Sequence, residues 1–271
     1  MSGPVVSEGR SPVILGFPHT GTHVPDAIHR RLNAEGQLLR DTDWHLDQLY
    51  AGVEPDVTTV KATTHRYVID ANRDPSGTSL YPGQNTTTLV PLIDFDNRPI
   101  WREGQAPDAA EVDERRAQYH APYHAALRQQ VERVRDRHGV AIVFDCHSIR
   151  SVIPFLFAGT LPDFNVGTND GATCAPVVEQ AVLDVVRSAL GHTGVVNGRF
   201  KGGWTTRHYG RPDENIHAIQ LELTQTTYLA SETPPFAFDP ARAAAFRPHL
   251  NAMLTALERL ALSGELKEIA S

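Results

Sequence analysis

The chain has 271 residues and a mass of 29.8 kDa, with 41% hydrophobic and 21% charged residues. That mixture can bury a sizeable core and excludes both whole-chain disorder and a disulfide-stapled mini-protein. A formal net charge of -7 and a pI near 6.0 give no electrostatic case for a nucleic-acid partner, and no apolar run approaches the ~18 residues of a membrane helix.

In chain order, residues 1–10 read as a loose tail, and Val13–Phe17 as a buried strand stopped by Pro18. Residues 41–50 read as a helix capped by Asp41 or Thr42, and His65–Asp70 as a strand. Residues 74–107, rich in Pro, Gly, Thr and Asn, form a long irregular excursion of the kind that carries function when it sits in a compact domain. Tyr123, Leu127, Val131 and Val134 recur at helical spacing within 112–137, with Pro122 kinking or starting part of that helix and Gly139 ending it. Val140–Phe144 is the clearest buried strand; a helix over about 173–189, a strand over 218–223 and a closing helix over 240–262 follow, with 264–271 as a frayed end. Helices alternating with strands predict a single α/β domain around a largely parallel or mixed sheet, whose ligands bind beyond the carboxyl ends of the strands.

Polar residues cluster where the strands end. Pro18–His23 follows the first strand, Asp145–Ser148 follows the strand 140–144, and Glu222 lies within the strand 218–223. Two histidines and a carboxylate arriving together suit a catalytic zinc, which takes three protein ligands and leaves a position for water. Set against this, a lone loop histidine is usually an ordinary polar residue. His19 and His23 have the spacing of a zinc-protease helix, but Thr20 stands where its glutamate belongs and the flanking Pro18, Gly21 and Pro25 oppose a helix. One of the pair is therefore expected to bind metal: His19, directly off the strand, with His23 as second choice. An oxygen ligand can come from Asp43 or Asp47, which would share a helix face. Cys146 beside His147 invites a cysteine nucleophile, but adjacent residues of an extended segment point to opposite faces. Asp145 and His147 should share one face, with Asp145 orienting His147, while Cys146 turns into packing. After the strand 65–70, Asn72 and Arg73 offer a fork for a carboxylate. The segment Lys201–Gly210 mixes glycines, cations and aromatics, as a flexible substrate-closing loop would.

These stretches together resemble the N-formylglutamate amidohydrolase (deformylase) family. The matching strings are PHTGTHVP at 18–25, DTDWHLDQLY at 41–50, HRYVIDANRDPSG at 65–77, APYHAAL at 121–127, FDCHSIRS at 144–151, LPDFNVGT at 161–168, RFKGGWTTRHYGRP at 199–212 and IHAIQLELTQTTYL at 216–229. The order is kept and nearly the whole chain is covered. The resemblance implies hydrolysis of N-formyl-L-glutamate to formate and glutamate, a step of bacterial histidine degradation. It also implies a three-layer α/β sandwich with a mixed central sheet, similar to the zinc-dependent exopeptidases. Carried over, His19 and His147 look like metal ligands, with Asp43 preferred over Asp47 as the third, and Glu222 looks like the catalytic carboxylate. Asn72–Arg73 resembles the pair with which zinc carboxypeptidases hold a terminal carboxylate.

On this reading the partner is a small anionic substrate, and Arg73 and Arg207, with Arg150 and Lys201 as further candidates, neutralise its two carboxylates. Two other readings compete. One is a zinc amidase or carboxypeptidase acting on other N-acyl amino acids; the other is a non-catalytic protein that binds acidic amino acids and needs neither metal nor Glu222. The absence of a visible leader and the two cysteines, Cys146 and Cys174, fit a cytoplasmic protein. Oligomeric state has no signature in the sequence.

Overall fold

The computed structural model describes residues 3–53 and 55–266. Among them, seven strands form one mixed sheet: β1 (Val5–Ser7), β2 (Val13–Phe17), β3 (Thr58–Lys61), β4 (Ala141–Ile149), β5 (Phe164–Gly167), β6 (Gly194–Val196) and β7 (Ile216–Thr224), in the spatial order β1-β3-β2-β4-β7-β5-β6. The central strands β3, β2, β4 and β7 run parallel, while β1 pairs antiparallel with β3, and β5 antiparallel with β7. The helices are α1 (Asp26–His29), α2 (Ala34–Gln37), α3 (Leu46–Leu49), α4 (Ala109–Arg115), α5 (Ala121–His138), α6 (Pro176–Ser188), α7 (Trp204–Tyr209) and α8 (Pro240–Ser263).

Both faces of the sheet are covered. On one, Tyr123, Leu127, Val131 and Val134 of α5 pack against Ile14, Val60, Ala141, Val143 and Ala218. On the other, Val178 and Val182 of α6 and Phe246, Leu250, Met253, Leu254 and Leu257 of α8 meet Leu15, Phe144, Cys146, Ile219 and Leu221. The expected layered fold around a mixed sheet is therefore present. Pro122 lies just beyond the π-helical turn that leads into α5, where it removes one N–H donor from a helix that continues from α4, and Gly139 closes the helix in the left-handed conformation (φ 74°). A π-helical turn over Arg116–His120 joins α4 to α5.

Four elements differ from the sequence reading. Residues 65–70 are a tight turn closed by Val68 N donating to His65 O, and not a strand; their burial comes from contacts made by their side chains. The strand of that region is β3, which carries only two buried positions in an alternating pattern. The helix over 41–50 shrinks to α3, and Asp41 caps nothing: its Oδ2 accepts from the Phe95 amide across the long excursion. Val5–Ser7, expected in a loose tail, is an edge strand, because β3 presents it with unpaired backbone groups. Residues 201–210 are largely the helix α7, with Thr205, Thr206 and Tyr209 buried, so the segment is packed onto β4 and β7 and is no free loop. At the other terminus Leu266 is fully buried, and residues 267–271 lie outside the described residues.

Candidate metal centre and active site

β4 is buried along its whole length. Its residues alternate, so Ile142, Phe144 and Cys146 enter the apolar core, while Asp145 and His147 lie on the opposite side. Cys146 is thus spent on packing. His147 stands in register with Glu222, and Asp145 with Gln220, on the neighbouring parallel strand. β2 ends at Phe17 and delivers His19 two residues later to the same carboxyl edge. Asp43 reaches it from the turn before α3, with its amide bonded to His19 O and its Oδ2 accepting from the Ser148 amide.

The result is a buried triangle of donor atoms. His19 Nδ1 and His147 Nδ1 are 3.1 Å apart, and Asp43 Oδ2 lies 3.4 Å from His147 Nδ1 and 3.8 Å from His19 Nδ1. Ligand atoms on a tetrahedral zinc with bonds of about 2.0–2.1 Å are about 3.3–3.4 Å apart, so these edges fit such an ion. Each imidazole turns its other nitrogen to a carboxylate: His19 Nε2 is 2.7 Å from Asp70 Oδ1, and His147 Nε2 is 3.1 Å from Asp145 Oδ1. For His19 that arrangement puts the proton on Nε2 and leaves the Nδ1 lone pair facing His147 and Asp43, with Arg66 Nη2 2.7 Å away, while Asn72 Nδ2 meets Nε2 of His147. The group His19, Asp43 and His147 could therefore hold a metal ion. His23 and Asp47, the second choices, stay outside it: His23 is exposed beside Thr64, and Asp47 pairs with Lys61 at the surface.

The electrostatics of the group are strongly perturbed. Burial and the adjacent Arg66 lower the pKa of His19 to about 4. Burial opposes charging of His147, but Asp145 and Asp43 outweigh it and raise its pKa well above the usual imidazole range. Burial also pushes the Glu222 carboxyl above the ordinary carboxylate range, with His147 pulling against it and Asp43 adding to it.

The two imidazoles of the triangle open onto a pocket lined by His19, His147, Glu222 and Asn72, with Arg66, Arg73 and Arg199 as its cations and Phe95, Ile149 and Phe200 as apolar wall. Asn72 spans the site, with Nδ2 at 3.0 Å from His147 Nε2 and Oδ1 accepting from the Thr205 amide. Gly203 makes this possible, because a Cβ there would fall 2.3 Å from Asn72 Nδ2. Arg73 is steadied by Thr87 and lies 3.6 Å from Asp70. The other cations chosen from sequence are absent from the lining. Arg207 donates to Gly202 O and Leu80 O and stacks on Tyr81, Arg150 pairs with Asp96, and Lys201 pairs with Asp170. In their place are Arg66 and Arg199. Arg66 is buried between Asp70 and His19, and Arg199 packs over Tyr81 and Phe200. Arg66 and Asp70 were in view within HRYVIDANRD; a strand assignment hides them, because it gives no reason for an arginine and an aspartate four apart to meet.

Comparison with solved structures places the fold first. The chain superposes on an N-formylglutamate amidohydrolase from Ralstonia eutropha JMP134 with a TM-score of 0.77 and 27% identity, covering 99% of both chains. A gene product of Agrobacterium tumefaciens at 18% identity shares the fold with a TM-score of 0.66. The family itself follows from sequence. The N-formylglutamate amidohydrolase model matches residues 11–229, and the chain belongs to that family. It is 45% identical to the N-formylglutamate deformylase of Pseudomonas putida over 232 residues, 85% of this chain and 86% of that one. It is 43% identical to that of Pseudomonas aeruginosa over 250 residues, covering 92% and 93%.

Proposed function

We propose that this protein hydrolyses the formyl amide of N-formyl-L-glutamate, giving formate and L-glutamate, with a divalent cation, best matched by zinc, held by His19, Asp43 and His147. The observation that carries this reading is that the two imidazoles of the buried donor triangle, Glu222 and three arginines line one pocket. When bound there, a divalent ion would polarise the formyl oxygen and lower the pKa of a coordinated water.

The chain's own residues supply the rest. Glu222, opposite His147, takes the proton of the attacking water and returns it to the departing nitrogen. That return is required, since an amide nitrogen leaves badly as an anion. Asp70 fixes His19 in the tautomer that presents Nδ1, and the Asp145 carboxylate lies against Nε2 of His147. Arg73, beside Asn72, receives one substrate carboxylate and Arg199 the other; Arg207, expected in that role from sequence, is turned to Tyr81. The place of the reaction is the proposed histidine-degradation route, in the reducing cytoplasm, where free Cys146 and Cys174 would persist. Among the described residues no helix is long and apolar enough to cross a membrane.

The test is formate release by the metal-loaded enzyme from N-formylglutamate and from N-formylglutamine, which lacks only the side-chain charge. A preference for the first is expected. Equal kcat/KM for both would refute a pocket built for a dianion and favour a broader N-acyl amidase, while the absence of bound metal and of turnover would leave an acidic amino-acid binder.

A further inference from the structure

The π-helical turn at 116–120 and the first turn of α5 bring His120 and His124 against the back of the pocket. π-Helical turns recur at functional sites because the extra residue redirects a side chain. Neither histidine touches the donor triangle. His124 Nε2 lies 2.7 Å from Ala71 O, and His120 Nε2 lies 3.0 Å from Arg73 O. A carbonyl only accepts, so both Nε2 atoms carry protons and donate. Between them the Trp204 amide reaches Asn72 O at 3.5 Å. Three consecutive carbonyls, 71 to 73, are thereby bonded from one side. The three donor residues pack on one another: the rings of His120 and His124 are 4.5 Å apart and tilted, and those of His124 and Trp204 also 4.5 Å, edge to face.

We propose that His120 and His124 are positioning residues that clamp the backbone of residues 71–73, and so aim Asn72 and Arg73 into the substrate pocket. The proposal rests on the substrate reading above only for what Arg73 holds; the clamp itself is a statement about backbone. Backbone outside regular structure needs such a device. Residues 71–73 belong to no helix or strand, yet Asn72 must meet His147 and Arg73 must face the pocket. Burial keeps both histidines below the usual imidazole pKa and hence neutral, which suits fixed donors.

The experiment compares His120→Leu and His124→Leu with His120→Gln and His124→Gln, whose amide nitrogen can stand in for Nε2. Hydrogen exchange in the peptide spanning 70–75 is read in each substrate-free protein, beside its melting temperature. Exchange there should rise in the leucine variants and return towards wild type in the glutamine variants. With N-formylglutamate, the leucine variants should lose about ten-fold in kcat/KM, mainly through KM, as expected for a loosened charge-assisted contact. Combined with Arg73→Ala, each leucine substitution should add less than its loss alone, because the clamp acts in part through Arg73. Unchanged exchange in both leucine variants, or losses that add in full to that of Arg73→Ala, overturns the clamp. Should wild type fail to turn over N-formylglutamate, the substrate reading falls, and the exchange and glutamine-rescue arms still decide the clamp.

Discussion

Towards the carboxyl end of β4 the two sides of the strand are equally dry and do opposite work. Ile142, Phe144 and Cys146 meet the apolar residues of α6 and α8, whereas Asp145 and His147, alternating with them, meet Asp43, Asn72 and Thr206. Burial on the first side converts apolar area into stability. On the second it removes water from charges that can then be neutralised only by one another or by an ion, which is how pKa values are displaced and a site is made reactive. The same alternation that makes a strand thus separates stability from chemistry at a spacing of one residue. Substitutions on the two sides should fail in different ways.

The largest effect belongs to the apolar side. Phe144→Ala removes a fully buried ring and should cost about 3–5 kcal/mol of stability, read by urea unfolding. Activity per folded molecule should be retained, and a proportionate loss of kcat in folded protein would blur the division. On the polar side, Glu222→Gln should lower kcat by at least ~10²-fold while metal content and melting temperature hold. Near-normal turnover would remove Glu222 from the proton transfers.

The third prediction uses a histidine that sits on the apolar side. His217 is fully buried, accepts from the Ala175 amide at Nδ1, and has a pKa lowered by burial to about 4. In the unfolded chain it titrates near 6.5, so between those values the unfolded state binds more protons, and stability is lost as pH falls from about 6.5 to about 4. His217→Asn keeps an acceptor and abolishes the titration, and should spare the protein about 2–3 kcal/mol of the loss between pH 7 and 4.5. Equal losses in the two proteins would show that His217 is charged in the fold. The smallest effect is expected from Asp70→Asn, which weakens the orientation of His19 and should reduce metal affinity about 10- to 100-fold, measured by competition with a chelator.

The contrast also explains what the sequence made legible. β2, β4 and β7 declare themselves as apolar runs, and alternation alone puts Cys146 on one side and Asp145 with His147 on the other. The position of His19 off β2 could be read in the same way, whereas the residues left Asp43 and Asp47 open and only the family resemblance preferred Asp43. What stayed hidden lies in the irregular stretch between β3 and α4. Arg66 and Asp70 meet His19 across 47 and 51 residues, and nothing local marks the pairing. Thr58–Lys61 gives no strand signal because its two partly exposed positions break an apolar run, and the glycines around 201–210 suggest a loop where α7 turns Arg207 to Tyr81.

The surroundings of the two imidazoles also set a charge requirement. Four carboxylates, Asp43, Asp70, Asp145 and Glu222, are buried about them, while two guanidiniums, Arg66 and Arg73, stand close enough to Asp70 to answer them. Electroneutrality in a dry site then calls for two more positive charges, the valence of a single divalent ion. Without that ion the same balance must be met by protons, in accord with the raised affinities of His147 and Glu222. Loading the site should accordingly expel acid: adding zinc to the metal-stripped protein in weakly buffered solution near neutral pH should release up to about two protons per chain, with apparent affinity rising as the solution is made more alkaline.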